Sequence, residues 1–501
     1  MESYLTFETK NKNSYIYNSI HKIISHNHPI LEFLINYYAQ TRSLNFPKYK
    51  DFEKLKFTNY KKEDYDYYIK KVLFFYKTDF LKETNTKLNY NGKINKNTIL
   101  TNLANLKQLT FEVTERCNLD CVYCGYGKLY SNNKKRERQD LSFEKAKIII
   151  DEVIRLKMSK RSLSSVHKMY ISFYGGEPLL NMDFIIRVVE YIKNIKNIPF
   201  KPQFSITTNG VFLNKYINFL IENSFNILVS LDGNKKNNGF RIAKDGKDRF
   251  NTITRNINYI KTNYKIFYKN NISFNSVLHS KNSVEDIQSF FTSEYDKMPS
   301  IAELNTNGVN SDCQNEFANT YNSFEESYNK SKKKKIIDKS LSYRHPRILN
   351  INSFIYSSLN FAYFDYNDLI YKKDKKQMVP TGTCQPFSKK MFVTASGSIL
   401  PCEKIGTKSF YGSVNESSII FDYKAFVNNF NSNLNKIKPK CKVCYFSDNC
   451  SKCIYYIDNS VNCDFFMTKK RFAEYLSNTY SDIETSEISY DKILNDLTID
   501  L

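Results

Sequence analysis

Eleven cysteines stand in this sequence of 501 residues, and ten of them fall into tight groups. Cys117, Cys121 and Cys124 form one knot, Cys313 stands alone, and Cys384, Cys402, Cys441, Cys444, Cys450, Cys453 and Cys463 crowd the last quarter. At this cysteine frequency, two more cysteines at fixed offsets from a first arise by chance with a probability of roughly 0.0005. The opening Met1-Glu2-Ser3-Tyr4-Leu5 carries no basic segment followed by an apolar core, so a secretory signal is not expected. In a cytoplasmic protein such spacings mean metal more often than disulfides. Three thiolates in one loop can hold three irons of a 4Fe-4S cube, leaving the fourth iron open as a binding site. Zinc at the knot would need a fourth ligand, and no His or Cys neighbours it in the sequence.

These thiols need a frame. From about residue 107, apolar strands alternate with amphipathic helices, the pattern of repeated βα units around a parallel sheet. Strands are expected at Leu109–Thr114, Lys168–Tyr174, Gln203–Thr208, Asn226–Leu231, Asn271–Leu278 and Ile301–Asn305. Helices fit between them, as over Ser142–Met158 with Ser142 as N-cap. Six units make an α/β fold, a partial (β/α)6 TIM-like barrel, whose active site would lie at the C-terminal ends of the strands. Four unusual sequences fall there: Cys117, Gly175-Gly176-Glu177-Pro178, Thr208-Asn209-Gly210 and Asp232-Gly233. One shared ligand would explain the coincidence.

The Cys-x3-Cys-x2-Cys spacing, with Tyr123 just before its last cysteine, resembles the radical S-adenosylmethionine (radical SAM) superfamily over about residues 107–310. The resemblance implies that the open iron chelates the amino and carboxylate groups of S-adenosylmethionine (SAM). Gly175, Gly176 and Glu177 look like the family's Gly-Gly-Glu motif, which receives the methionyl ammonium. Glycines permit close backbone approach and Glu177 offers acceptors to a cation. Asn209 and Ser230 look like the ribose and carboxylate contacts, and Arg241 matches the Arg found beyond them in peptide-modifying members. Val277 and Leu278 stand where adenine would pack or where the core would close. The implied chemistry is one-electron cleavage of SAM and hydrogen abstraction by a 5′-deoxyadenosyl radical, with the cofactor carrying the hard step.

The later series, Cys384 and Cys402 followed by Cys441-x2-Cys444-x5-Cys450-x2-Cys453 and Cys463, resembles the Cys-rich SPASM domain of radical enzymes. That domain houses two auxiliary 4Fe-4S clusters, three clusters in all. Carried over by position, Cys384, Cys402 and Cys453 serve auxiliary cluster I, and Cys441, Cys444, Cys450 and Cys463 serve cluster II. The family has three residues between its fifth and sixth cysteines and this sequence has two, Ser451 and Lys452, which bears on Cys453. No cysteine lies between Cys384 and Cys402, so cluster I is expected to keep an open or non-Cys iron. Taken alone, two Cys-x2-Cys pairs also read as a zinc ribbon.

Residues 1–100 form an N-terminal α+β extension without a chemical motif, similar to the leader-peptide recognition domains of peptide maturases. Such domains add an extended leader to a sheet edge. A radical SAM core at 105–312, a connecting helical region at 313–377, the SPASM domain at 378–480 and a polar tail at 481–501 complete the expected organisation. The net charge is +23, from 74 Lys+Arg against 51 Asp+Glu. Only 13 of those 74 are Arg, the usual nucleic-acid residue, so the charge reads as lysine bias first and as a surface for an acidic leader second. No apolar run reaches the roughly 18 to 20 residues of a membrane span. The expectation is a cytoplasmic maturase that crosslinks a ribosomally made precursor peptide through a thioether or carbon–carbon bond. It would be reduced by a flavodoxin- or ferredoxin-like partner, with no membrane and no nucleic-acid partner. A formylglycine-forming sulfatase maturase is the alternative enzyme, and a zinc-stabilised nucleic-acid-binding protein the alternative from another class.

Overall fold

The computed structural model describes residues 4–18, 23–54, 59–78, 80–81, 89–90, 92–131, 136–163, 168–334, 337, 377–378, 384–406, 411–447, 450, 452–457, 463 and 465–485. At its centre six parallel strands lie side by side in chain order: β5 (Gln108–Thr114), β6 (Lys168–Gly175), β7 (Lys201–Thr208), β8 (Asn226–Ser230), β9 (Ile272–Leu278) and β10 (Ser300–Glu303). Every expected barrel strand is present to within two residues at either end. Helices such as α5 (Phe143–Lys157) and α6 (Met182–Asn194) pack on the sheet because one face of each is apolar. On α5 Ala146, Ile149, Ile150, Val153 and Leu156 are buried, and the Ser142 hydroxyl caps Lys145 N–H at 3.4 Å.

The barrel is open. Where a closed barrel would bring its last strand to β5, the free edge of β5 instead pairs in parallel with β12 (Lys390–Val393), in the register Gln108 to Lys390. β12 turns through Ser396-Gly397 into antiparallel β13 (Ser398–Leu400), the hairpin expected from the sequence. β14 (Gly412–Val414) and β15 (Ile419–Phe421) extend the same sheet. The Cys-rich domain is therefore continuous with the barrel sheet.

In the N-terminal region β1 (Tyr4–Glu8), β2 (Ser14–Asn18) and β3 (Ile23–His26) form an antiparallel sheet, followed by α1 (Pro29–Thr41), α2 (Tyr49–Glu53) and α3 (Lys62–Lys77). The sequence indicated only the strand at 15–18 and the helix at 30–35. The sheet does not stand apart: Leu5, Phe7 and Tyr17 share an apolar cluster with Phe472 and Leu476 of the last helix, α14 (Lys469–Thr485), and with Cys444. Glu484 accepts from Tyr15 Oη at 2.7 Å, Asn13 Nδ2 at 3.0 Å and Asn11 Nδ2 at 3.2 Å. That helix starts and ends later than the expected 465–480, so residues 481–485 of the expected tail are helical. Short helices occupy Gln314–Thr320 and Phe324–Lys330. Most of the expected connecting region, 338–376, and the rest of the tail lie outside the described residues. Among the described residues no helix is long and apolar enough to cross a membrane.

Candidate functional site

The three-cysteine loop leaves β5 and is held at the strand ends by backbone bonds on two sides. Asp120 N–H donates to Ile242 O at 2.7 Å and Val122 N–H to Phe240 O at 3.0 Å, pinning the loop against the segment that follows β8. On the other side Gly176 N–H donates to Thr114 O and Glu177 N–H to Arg116 O, both at 2.8 Å. This contact explains the glycines. Gly175 has φ of +140°, and a Cβ on Gly176 would lie 2.0 Å from Arg116 O. No larger residue lets the end of β6 come so close to the loop.

Cys117, Cys121 and Cys124 are all part-exposed, with no disulfide. Leu119 N–H points at Cys117 Sγ at 3.4 Å, the kind of donor that stabilises a cluster thiolate. Burial pushes the free Cys117 thiol up and the Cys121 thiol to about 12. Coordinated iron would reverse this, since a metal-bound thiol is deprotonated. The donor set therefore fits a cluster held by Cys117, Cys121 and Cys124. Among the described residues no three His, Cys, Asp or Glu groups meet at the spacing of one mononuclear ion. Thiolates that each take a different iron of a cube stand further apart than that.

Glu177 is fully buried, and its carboxylate accepts from Leu179 N–H at 3.1 Å, Thr208 Oγ1 at 2.7 Å and Asn209 N–H at 2.8 Å. Burial pushes this carboxyl up to about 7 against the pull of those three donors. Asn209 in turn points its amide at Asn118 Oδ1, 2.8 Å away, and lies 4.0 Å from Cys117 Sγ. Ser230 ends β8 half-buried, its hydroxyl without a hydrogen-bond partner among the described residues. Leu278 is closed into the barrel core, whereas Val277 lies beside Tyr123.

Tyr123 and Arg241 converge on a residue that sequence reasoning left unassigned. Asp232, 0% exposed, accepts from the Tyr123 hydroxyl and, at 3.0 Å, from Val277 N–H. His279, equally buried, places Nε2 3.4 Å from Asp232 Oδ2 and stacks on the Tyr123 ring at 5.4 Å. Arg241 Nε stands 3.2 Å from the same oxygen as an ion pair, yet its N–H is not aimed there and has no acceptor. Burial pushes the Asp232 carboxyl up, but Arg241 above all, with His279 and Tyr123, holds it below the usual range. Cys313 joins the same small apolar cluster as Cys121 and Tyr123, and His279 stacks on Tyr123, so the fold brings a further thiol and an imidazole to the region of the loop.

The later cysteines gather in two places. Burial pushes Cys441 up to about 12, helped by the nearness of Cys450, Cys444 and Cys463. Burial also raises Cys453, with Cys384 next to it, while the Tyr455 hydroxyl lies near both Cys453 and Cys402. Lys404 N–H donates to Cys402 Sγ and Met467 N–H to Cys444 Sγ, each at 3.4 Å.

A cysteine loop and a Gly-Gly-Glu turn at the C-terminal rim of an open βα barrel define the class. The profile of the Radical SAM superfamily matches residues 111–292, the stretch that runs from β5 to the helix after β9. Nearer likenesses come next. The radical SAM cyclopropyl synthase TigE of Paramaledivibacter caminithermalis is 30% identical over 181 residues, 34% of this chain and 35% of that protein. A cysteine-type anaerobic sulfatase-maturating enzyme of Clostridium novyi is 31% identical over 170 residues, 33% of this chain and 43% of that one. The chain thus spans well under half the length of these curated relatives. A solved structure of native anSMEcpe with bound AdoMet and Cp18Cys peptide aligns over 78% of this chain and 99% of its own, with a TM-score of 0.50 and 18% identity. That likeness concerns the fold.

Proposed function

We propose that this chain is a radical SAM maturase that installs a thioether or carbon–carbon crosslink in a ribosomally made precursor peptide. One observation carries the proposal. β3 is the edge strand of the N-terminal sheet, with no strand partner on its outer side among the described residues, and that sheet shares, through Leu5, Phe7 and Tyr17, one apolar cluster with Cys444. A sheet edge takes an extended peptide by strand addition, and the sheet it belongs to shares a core with one of the later cysteine groups. A net charge of +23 suits an acidic leader.

When bound, SAM and the reduced cluster supply a radical able to abstract hydrogen from carbon. The protein's own work is to hold and to exclude. Cys117, Cys121 and Cys124 hold the cluster. Asn209, the Ser230 hydroxyl and the Arg241 guanidinium face a polar cosubstrate, and a guanidinium suits its carboxylate. Glu177 fixes the end of β7 through Thr208 and Asn209 and retains acceptor capacity for an ammonium. Cys384, Cys402 and Cys453 hold one auxiliary cluster, and Cys441, Cys444, Cys450 and Cys463 the other. A flavodoxin- or ferredoxin-like protein supplies electrons.

The test is anaerobic incubation of the reconstituted enzyme with SAM, reductant and a candidate precursor, read by mass spectrometry. A crosslink removes a pair of hydrogens and keeps the sulfur. Loss of sulfur from a cysteine would instead identify formylglycine formation, the reading favoured by the sulfatase-maturase relative. Proline substitution at Ile24 and at Ser25, one of which aims its N–H outward, is expected to weaken binding of the full precursor and spare a leaderless core peptide.

A further inference from the structure

We infer that Asp232 and His279 are positioning residues that aim the Arg241 guanidinium at the carboxylate of the bound cosubstrate. The inference deepens the proposed function and rests on Arg241 being a SAM contact. Arg241 is 7% exposed, and its buried Nε–H, although 3.2 Å from Asp232 Oδ2, meets no acceptor in hydrogen-bonding geometry among the described residues. A buried cation in that state is costly unless an anion or acceptor completes it. Asp232 neutralises the guanidinium from its Nε side, 3.2 Å away, which leaves the two terminal nitrogens for a second, incoming carboxylate. The Arg241 side chain also lies over the Tyr123 ring at 5.6 Å, so it is held from two directions at the cysteine loop.

Asp232 serves this purpose only if it is itself immobile, and four groups fix it. Val277 N–H occupies Oδ1, while the Tyr123 hydroxyl, Arg241 and His279 share Oδ2. His279 is oriented in turn. Its Nδ1 accepts from Lys281 N–H at 3.2 Å, which places the ring proton on Nε2, the atom facing Asp232. Phe240 closes the other side of the imidazole edge-on at 4.8 Å, and Asn282 Nδ2 binds the Asp232 carbonyl at 3.2 Å. The chain His279–Asp232–Arg241 thus runs from the end of β9 across β8 to the rim, built of groups with almost no rotational freedom.

The test compares equilibrium binding of SAM and of its decarboxylated analogue to the anaerobically reconstituted enzyme, without turnover. The ratio of the two affinities reports what the carboxylate gains from the protein. D232N is expected to lower that ratio by about 10- to 100-fold, the worth of a charged hydrogen bond, chiefly by weakening SAM. H279L is expected to lower it less, and H279Q, which keeps an N–H donor, to restore part of the loss. A purely structural defect would weaken both ligands alike and leave the ratio unchanged. If D232N does not fold, the H279L and H279Q pair decides. R241M separates the two layers: an unchanged ratio in R241M overturns the reading of Arg241 itself. A ratio lowered in R241M but unchanged in D232N and H279L overturns the positioning role alone.

Discussion

Replacing Gly176 by Ala tests the reason given for the Gly-Gly turn. An added Cβ would lie 2.0 Å from Arg116 O, 2.5 Å from Arg116 C and 2.9 Å from Glu115 O, all backbone atoms that cannot rotate away. Ordinary contact begins near 3.4 Å, so the end of β6 and the cysteine loop must separate by more than 1 Å. The two 2.8 Å bonds joining them, Gly176 N–H to Thr114 O and Glu177 N–H to Arg116 O, stretch past hydrogen-bonding range in doing so. Each is worth about 0.5–1.5 kcal/mol and the overpacking about 1–3 kcal/mol, for a local cost of about 2–6 kcal/mol. Gly125 lies in the same loop, and a Cβ there meets nothing within 4 Å. Reconstituted G176A is expected to lose iron amounting to about one cube per chain, together with SAM binding, while G125A keeps both. Wild-type iron and SAM affinity in G176A would refute the close-approach argument. So would G125A proving as damaging as G176A.

Three further outcomes are expected. Glu177, raised to about 7 by burial, keeps its proton in the folded protein after the unfolded chain has ionised; its contribution to stability is greatest below about pH 4.5 and falls by about 3 kcal/mol as pH rises to 7. The difference in thermal midpoint between wild type and E177Q should therefore shift in favour of E177Q between pH 5 and pH 8, and a constant difference would contradict it. Glu484→Ala removes three acceptor contacts between α14 and the N-terminal sheet, worth about 1–2 kcal/mol at this half-exposed site, and should speed hydrogen exchange in β1 and β2 while leaving the barrel unchanged. The holoprotein should carry about twelve irons, and Cys441→Ala about four fewer, whereas zinc with little iron would refute the cluster assignment.

The barrel was legible because each of its strands is a short apolar run set between amphipathic helices, a signal contained in a few neighbouring residues. Thus β7 and β8 end within a residue of their expected limits, and Asn209 and Ser230 fall on the rim. The N-terminal sheet was less legible. β1 mixes Tyr, Thr and Glu with a single aliphatic residue, and its burial is completed by α14, more than 450 residues away in the chain. Pairing of Gln108 with Lys390 is hidden for the same reason: no local pattern announces that a later hairpin will take the open edge of β5.

Asp232 and His279 show where local reading reaches its limit. Each occupies a position at which a polar residue is unremarkable, one in an Asp-Gly turn and one just past the end of a strand. Only the closing of β8 against β9 makes both fully buried and brings them to Tyr123 and Arg241, which the family resemblance had already marked. Spacing finds candidates that share one loop, as Cys117, Cys121 and Cys124 do. A buried charge is recognisable only with the partners that make its burial tolerable, and those of Asp232 come from three separate segments. Candidate ligand residues that share one stretch of chain can thus be read from sequence, while a buried network such as that of Asp232 and His279 becomes visible only once the sheet has assembled.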